Sequence, residues 1–139
     1  MPTYLEPTEA SATAFFMLGI KGPVVMLNLL RFREVADYSD LPDLAPDTPI
    51  SGAEAYDRYM AHTAPFLLEA GGKLLFDGEG GRYFIGPEAE HWDRVLLVEQ
   101  ASPEAFMAFA QNKAYLSGIG HRSAALADSR LLPIVPQGV

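Results

Sequence analysis

Between Val24 and Arg33 the chain is apolar at nearly every position. Side chains alternate across a strand, so Val24, Met26, Asn28, Leu30 and Phe32 form one row and Val25, Leu27, Leu29, Arg31 and Arg33 the other. Only Asn28 and the two arginines interrupt these rows. A strand that is apolar on both faces is covered on both faces. The domain's own helices supply one cover, and a two-layer domain leaves the other to come from elsewhere.

The pattern predicts the remaining elements in turn. Thr8 caps a short helix from Glu9 to about Leu18, which Gly19 ends. Residues 1–22 therefore read as a helical extension ahead of one domain, 23–139. After the strand, Glu34 to Ser51 holds Pro42, Pro46 and Pro49 among five acidic residues, which excludes a helix and predicts a long loop or lid. Ser51 caps a helix from about Gly52 to Ala70, with Glu54 placed for a capping box and Pro65 for a kink. Tyr56, Tyr59, Met60, Thr63, Phe66, Leu67 and Ala70 gather on one face of it, and Gly71-Gly72 stops it.

Lys73 to Phe76 reads as a short strand that Asp77 to Gly81 breaks with a bulge or turn and Arg82 to Ile85 resumes. A hairpin loop, Gly86 to His91, leads into a strong strand from Trp92 or Asp93 to Glu99. Ser102 with Pro103 starts another helix, whose inner face is Phe106, Phe109 and Ala110. Helical character returns from about His121 to Ala127, and Arg130 to Val135 closes the chain as a strand. The order strand, helix, two strands, helix, strand is the split βαβ plan, so the fold expected is α+β, ferredoxin-like.

Composition narrows the function classes. The 139 residues are 49% hydrophobic and 20% charged, as in an ordinary single globular domain. With no cysteine there is no disulfide, thiolate metal site or cysteine nucleophile. A net charge of −8 repels phosphate backbones and anionic lipid, so neither nucleic acid nor membrane is an expected partner. The first residues lack a signal peptide's basic and apolar regions, so a soluble, cytoplasmic protein is expected.

Several local patterns together resemble a known family. Tyr56-x-x-Tyr59, the Gly71-Gly72 stop, Arg94-Val95-Leu96-Leu97-Val98-Glu99, Ser102-Pro103-Glu104-Ala105 and Arg122-x-Ala124-Ala125-x-x-Asp128-Ser129-Arg130-Leu131 are similar to the domain-of-unknown-function 1330 family, within the dimeric α/β-barrel superfamily. The resemblance covers roughly Val24 to Val135. It implies a ferredoxin-like protomer whose sheet pairs face to face with that of a twin, hence a homodimer. It also supplies the second cover that the first strand requires. It implies no particular reaction.

Candidate chemistry centres on four residues. Asn28 is a lone amide in an apolar row, so it is either a polar anchor in a pocket or a structural amide bonded to backbone. Arg31 could grip a substrate carboxylate bidentately, pair with the acidic loop, or stand at a dimer interface. His62, on the flank of the long helix between Tyr59 and Phe66, is the natural general acid or base, or else a boundary histidine. Tyr59 joins them as a polar contact, although an amphipathic core role suits it as well.

Other patterns fail their tests. His91 among Glu88, Glu90 and Asp93 lacks zinc-site spacing. Gly78-Glu79-Gly80-Gly81 is followed by a strand rather than the helix a phosphate loop needs. There is no Gly-x-Ser-x-Gly elbow. No cofactor and no metal are expected.

Two functions fit. One is a small-molecule binder or cofactor-free oxygenase- or isomerase-like enzyme. Its pocket would lie between the long helix and the sheet, with Asn28, Arg31 and Tyr59 binding and His62 catalytic. The other is a non-catalytic assembly module in which the loop 34–51 serves a partner chain. A cavity holding Asn28 and His62 favours the first, and a filled core the second.

Overall fold

The computed structural model of the protein describes residues 2–137. The expected segments 1–22 and 23–139 thus include residues 1, 138 and 139, which lie outside the described ones. Four strands, β1 (Val24–Phe32), β2 (Lys73–Arg82), β3 (His91–Gln100) and β4 (Leu126–Ile134), form one sheet in the order β2-β3-β1-β4. Every neighbouring pair is antiparallel. With the crossover helices α2 (Gly52–Glu69) and α3 (Pro103–Ala110), this is the ferredoxin-like fold, α+β in class. Short α4 (Lys113–Leu116) and α5 (Gly120–Ala125) bring the chain back to β4.

Caps begin the helices where expected. The Ser51 hydroxyl accepts from the Glu54 amide at 3.1 Å, and Ser102 accepts from Ala105 at 3.0 Å. Helix α2 continues past Pro65 to Glu69. Some strand bounds differ from those expected: β2 is a single strand through the glycines, and its register slip lies between Leu74 and Phe76. Hydrogen bonding to β3 holds it, and Gly80 runs so close to the Trp92 carbonyl that a Cβ would collide with it. Tyr83 to Ile85 belong to the hairpin tip rather than to a strand. Strand β4 likewise starts earlier than Arg130, because Phe32 pairs with buried Leu126.

The two rows of β1 meet different surroundings. Leu30 and, on β3, Leu96 pack beneath Ala55, Tyr56 and Tyr59 of α2, Phe109 of α3, Tyr115 of α4 and Ala124-Ala125 of α5. Among the described residues no helix layer packs over the other row. Register places Leu27 beside Leu97 and Leu132, Leu29 beside Val95, Val25 beside Ile134, and Phe76 beside Leu97, all on one face. Phe76 and Leu132 stay 55% and 57% exposed.

The loop 34–51 folds onto its own chain. The Ala36 amide donates to the Ile50 carbonyl and the Asp37 amide to that of Ala124, each at 2.9 Å. Tyr38 is buried, and Leu41, Leu44 and Ile50 pack on the core. At the amino end, helix α1 (Glu9–Met17) buries none of its residues and touches α3 through an edge-on Phe15–Phe106 contact at 6.2 Å. The strap ahead of it is held more firmly. The Tyr4 amide donates to Asp128 Oδ1 at 2.8 Å, Ser129 Oγ to the Tyr4 carbonyl at 2.5 Å, and Arg122 Nη1 to the Leu5 carbonyl at 2.6 Å.

Candidate functional site

Tyr59 and His62 stand one turn apart on α2, and both reach the same segment. The hydroxyls of Tyr59 and Tyr115 share a buried 2.7 Å hydrogen bond inside a run of rings that includes Tyr56 and Phe109. His62 Nε2 lies 2.9 Å from the Ala114 carbonyl and 3.1 Å from that of Tyr115. Carbonyls only accept, so this nitrogen carries the proton and donates to both, which leaves Nδ1 for any base chemistry. Gly118 presses against the imidazole so closely that a Cβ would collide with it. Burial pushes the Tyr56 and Tyr115 hydroxyls far above the ordinary tyrosine range, which keeps both protonated at neutral pH.

Asn28 does not join them by any hydrogen bond among the described residues. Its Nδ2 donates to the Met26 carbonyl at 3.1 Å, two residues back on the same strand. Arg31 rises from the opposite face. Its nearest carboxylate, Asp128 Oδ2, is 3.8 Å away. Asp128 is already engaged by Arg130 at 2.6 Å and by the Tyr4 and Ser129 amides at 2.8 and 2.9 Å. Burial works against that carboxylate, yet the Tyr4 amide, Arg130 and the Ser129 amide outweigh it and hold its pKa below the usual range.

Two charged groupings were not singled out from the sequence. Arg94 bridges Asp77 of β2 and Asp57 of α2, at 2.7 and 2.8 Å, and lies 5.8 Å from the Tyr56 ring. Their sequence separations hide this contact, although the lone arginine in the strongest strand marked the position. Arg130 stands between two rings, 4.7 Å from Tyr4 and 5.1 Å from buried Trp92. Trp92 Nε1 donates to the Tyr83 hydroxyl at 2.7 Å, and Tyr83 donates in turn to Glu90.

Two open hollows lie elsewhere. One of about 320 Å³ is an open groove along Val35, Ala36, Tyr38 and Ala45 to Ile50. Another, of about 250 Å³, lies beside Arg33, Asp37, Ser39, Asp40, Leu41 and Ser123. Neither is lined by Asn28, Arg31, Tyr59 or His62. Among the described residues no group of three or more His, Asp or Glu is placed to hold a metal ion, and no helix is long and apolar enough to cross a membrane.

Topology and core together define a ferredoxin-like α+β protein with one sheet face left open. No protein-family model matches the sequence, and no curated protein does either. The chain is similar over nearly its whole length to the RPA0582 protein of Rhodopseudomonas palustris, a protein of unknown function. The methylated form of that protein superposes with a TM-score of 0.85 at 35% identity, covering 99% of this chain and 98% of that one. A second structure of it gives 0.85 at 34% identity, covering 99% and 100%. This chain therefore belongs to the RPA0582 family. A dabb family protein with a ferredoxin-like fold from Mesorhizobium loti is more distant, with a TM-score of 0.47 at 12% identity over 85% of this chain and 100% of that one.

Proposed function

We propose that this protein is a homodimeric, non-catalytic assembly module of the dimeric α/β-barrel type, within the domain-of-unknown-function 1330 family. Two copies pack their open sheet faces against each other. The observation that carries the reading is the uncovered apolar face of Val25, Leu27, Leu29, Phe76, Val95, Leu97, Leu132 and Ile134. An isolated domain rarely leaves a contiguous apolar patch of this extent in water. A closed dimer uses the same patch twice about a two-fold axis.

The helix side supports the non-catalytic half of the reading. Tyr59 bonds to Tyr115, His62 gives its Nε2 to two carbonyls and Asn28 bonds to its own strand, and none of them lines a described hollow. The acidic loop covers its own core instead of standing away for a partner.

A second reading, a small-molecule site, rests on Arg31. Among the described residues it has a single loose ion pair, to Asp128, so a ligand carboxylate could take the bidentate place that Asp128 leaves open.

The mass in solution tests the first reading. Light scattering at micromolar concentration should give twice the 15.1 kDa chain mass, and Leu97→Glu should give the single mass with its helical and strand content retained. A wild-type protein of single mass overturns it.

A further inference from the structure

Resting on the dimer reading, we propose that the β2–β3 hairpin tip is an arm by which each copy grips the other, with Phe84 and Ile85 as its anchors. Phe84 is fully exposed and Ile85 is 87% exposed, side by side at the end of the hairpin. Single surface apolar residues are common, but two adjacent bulky ones with nothing over them are not.

The tip is built to hold them there. Arg82 Nη1 donates to the Glu88 carbonyl at 2.5 Å across the loop, and the Glu90 amide donates to the Pro87 carbonyl at 3.2 Å. Gly86 turns the chain at φ 156°, where a Cβ would lie 2.5 Å from the Tyr83 ring, so the turn needs glycine. Tyr83 is fixed between Glu90 and Trp92. A tip with this many internal ties presents its apolar pair with little ordering entropy left to lose on contact, which is what a binding anchor requires.

The occupant is a second copy of this chain, for two reasons. The tip is tied to the open face: Tyr83 is held by Trp92, and the Trp92 ring lies against Arg130, which pairs with Leu29 and so rises from that face. The anchors thus continue the apolar surface past the end of the strands. The second reason is area. Four strands about 4.8 Å apart and nine or ten residues long present a flat outline of roughly 600 Å² per copy. A stable interface buries about 800 Å² per partner. A buried aromatic side chain alone contributes about 150–250 Å², so Phe84 and Ile85 bring the face up to that size. In a two-fold dimer both arms act at once.

The experiment is sedimentation equilibrium of the full chain as wild type, as Phe84→Asp/Ile85→Asp and as Leu97→Glu, with melting temperature as the folding control. Neither tip side chain is buried, so the double variant should melt as wild type does when both are measured as monomers at high dilution. Its dimer dissociation constant should rise 10-fold or more. A change under twofold, in a wild type that dimerises and a Leu97→Glu that does not, overturns the arm and leaves the sheet-face dimer standing. A monomeric wild type overturns both. A photo-crosslinking benzoyl-phenylalanine at position 84 gives a second measure. A covalent dimer supports the arm, and crosslinks confined to the same chain overturn it.

Discussion

Among the described residues the hydroxyls of Tyr59 and Tyr115 have one hydrogen-bond partner each, and it is the other. Removing one hydroxyl strands the second in a buried site, at a cost of about 1–3 kcal/mol, whereas removing both leaves no orphan. Tyr115→Phe is therefore expected to lose about that much stability in urea denaturation, and Tyr59→Phe/Tyr115→Phe to recover most of it. A double variant as unstable as the sum of the singles would sink this account. The same pair marks the limit of what single residues disclose in sequence. A helical wheel correctly puts Tyr59 inside and His62 at its flank. The atoms that claim them lie on α4, 56 residues from Tyr59 and 52 from His62 at Ala114. No local spacing encodes that meeting, so the bonds from His62 to α4 are not written in the sequence around it.

At the level of elements, legibility followed how locally each signal is written. Capping serines, the alternating rows of β1 and the strongest strand are local and stand where expected. The glycines of β2 suggested a break because glycine weakens a strand in isolation, yet its ladder with β3 keeps the strand whole. The loop 34–51 was legible as non-helical but not as a cover. Its hold on the core includes a 2.8 Å hydrogen bond between the Tyr38 hydroxyl and His121 Nδ1. Burial, then Arg58 and His62, push the His121 pKa below its ordinary value. The unfolded chain, with a histidine pKa of about 6.5, binds that proton more readily than the folded one. Stability is thus fully present above that pH and falls as the pH drops through the folded pKa. Protection of the Ala36 and Asp37 amides, expressed relative to the intrinsic exchange rate at each pH, should fall between about pH 7 and pH 5. His121→Gln, which does not titrate, should flatten that dependence, and an unchanged slope would refute the role of His121.

For the whole molecule, charge and apolar surface oppose each other. Each chain carries −8, so pairing two of them gathers like charge while burying oily sheet. Salt screens the first effect over about 10 Å at 0.1 M and leaves the second in place. The proposed dimer should therefore tighten as sodium chloride is raised from roughly 20 to 300 mM, as read by sedimentation. Weakening over that range would mean that ion pairs, not the apolar face, join the copies. The sheet's own wiring has a different consequence, for how the chain comes into being. Central β1 needs β4 along one edge, yet their partners, such as Leu27 and Leu132, lie far apart along the chain. Until β4 arrives, β1 offers a bare row of amides and carbonyls between two apolar faces, a surface on which another unfinished chain can settle. The strap at Tyr4, which bonds to Asp128 and Ser129, closes only with that final strand. Production of this protein is thus most exposed to aggregation in the interval before its last strand is in place, and slower synthesis lengthens that interval.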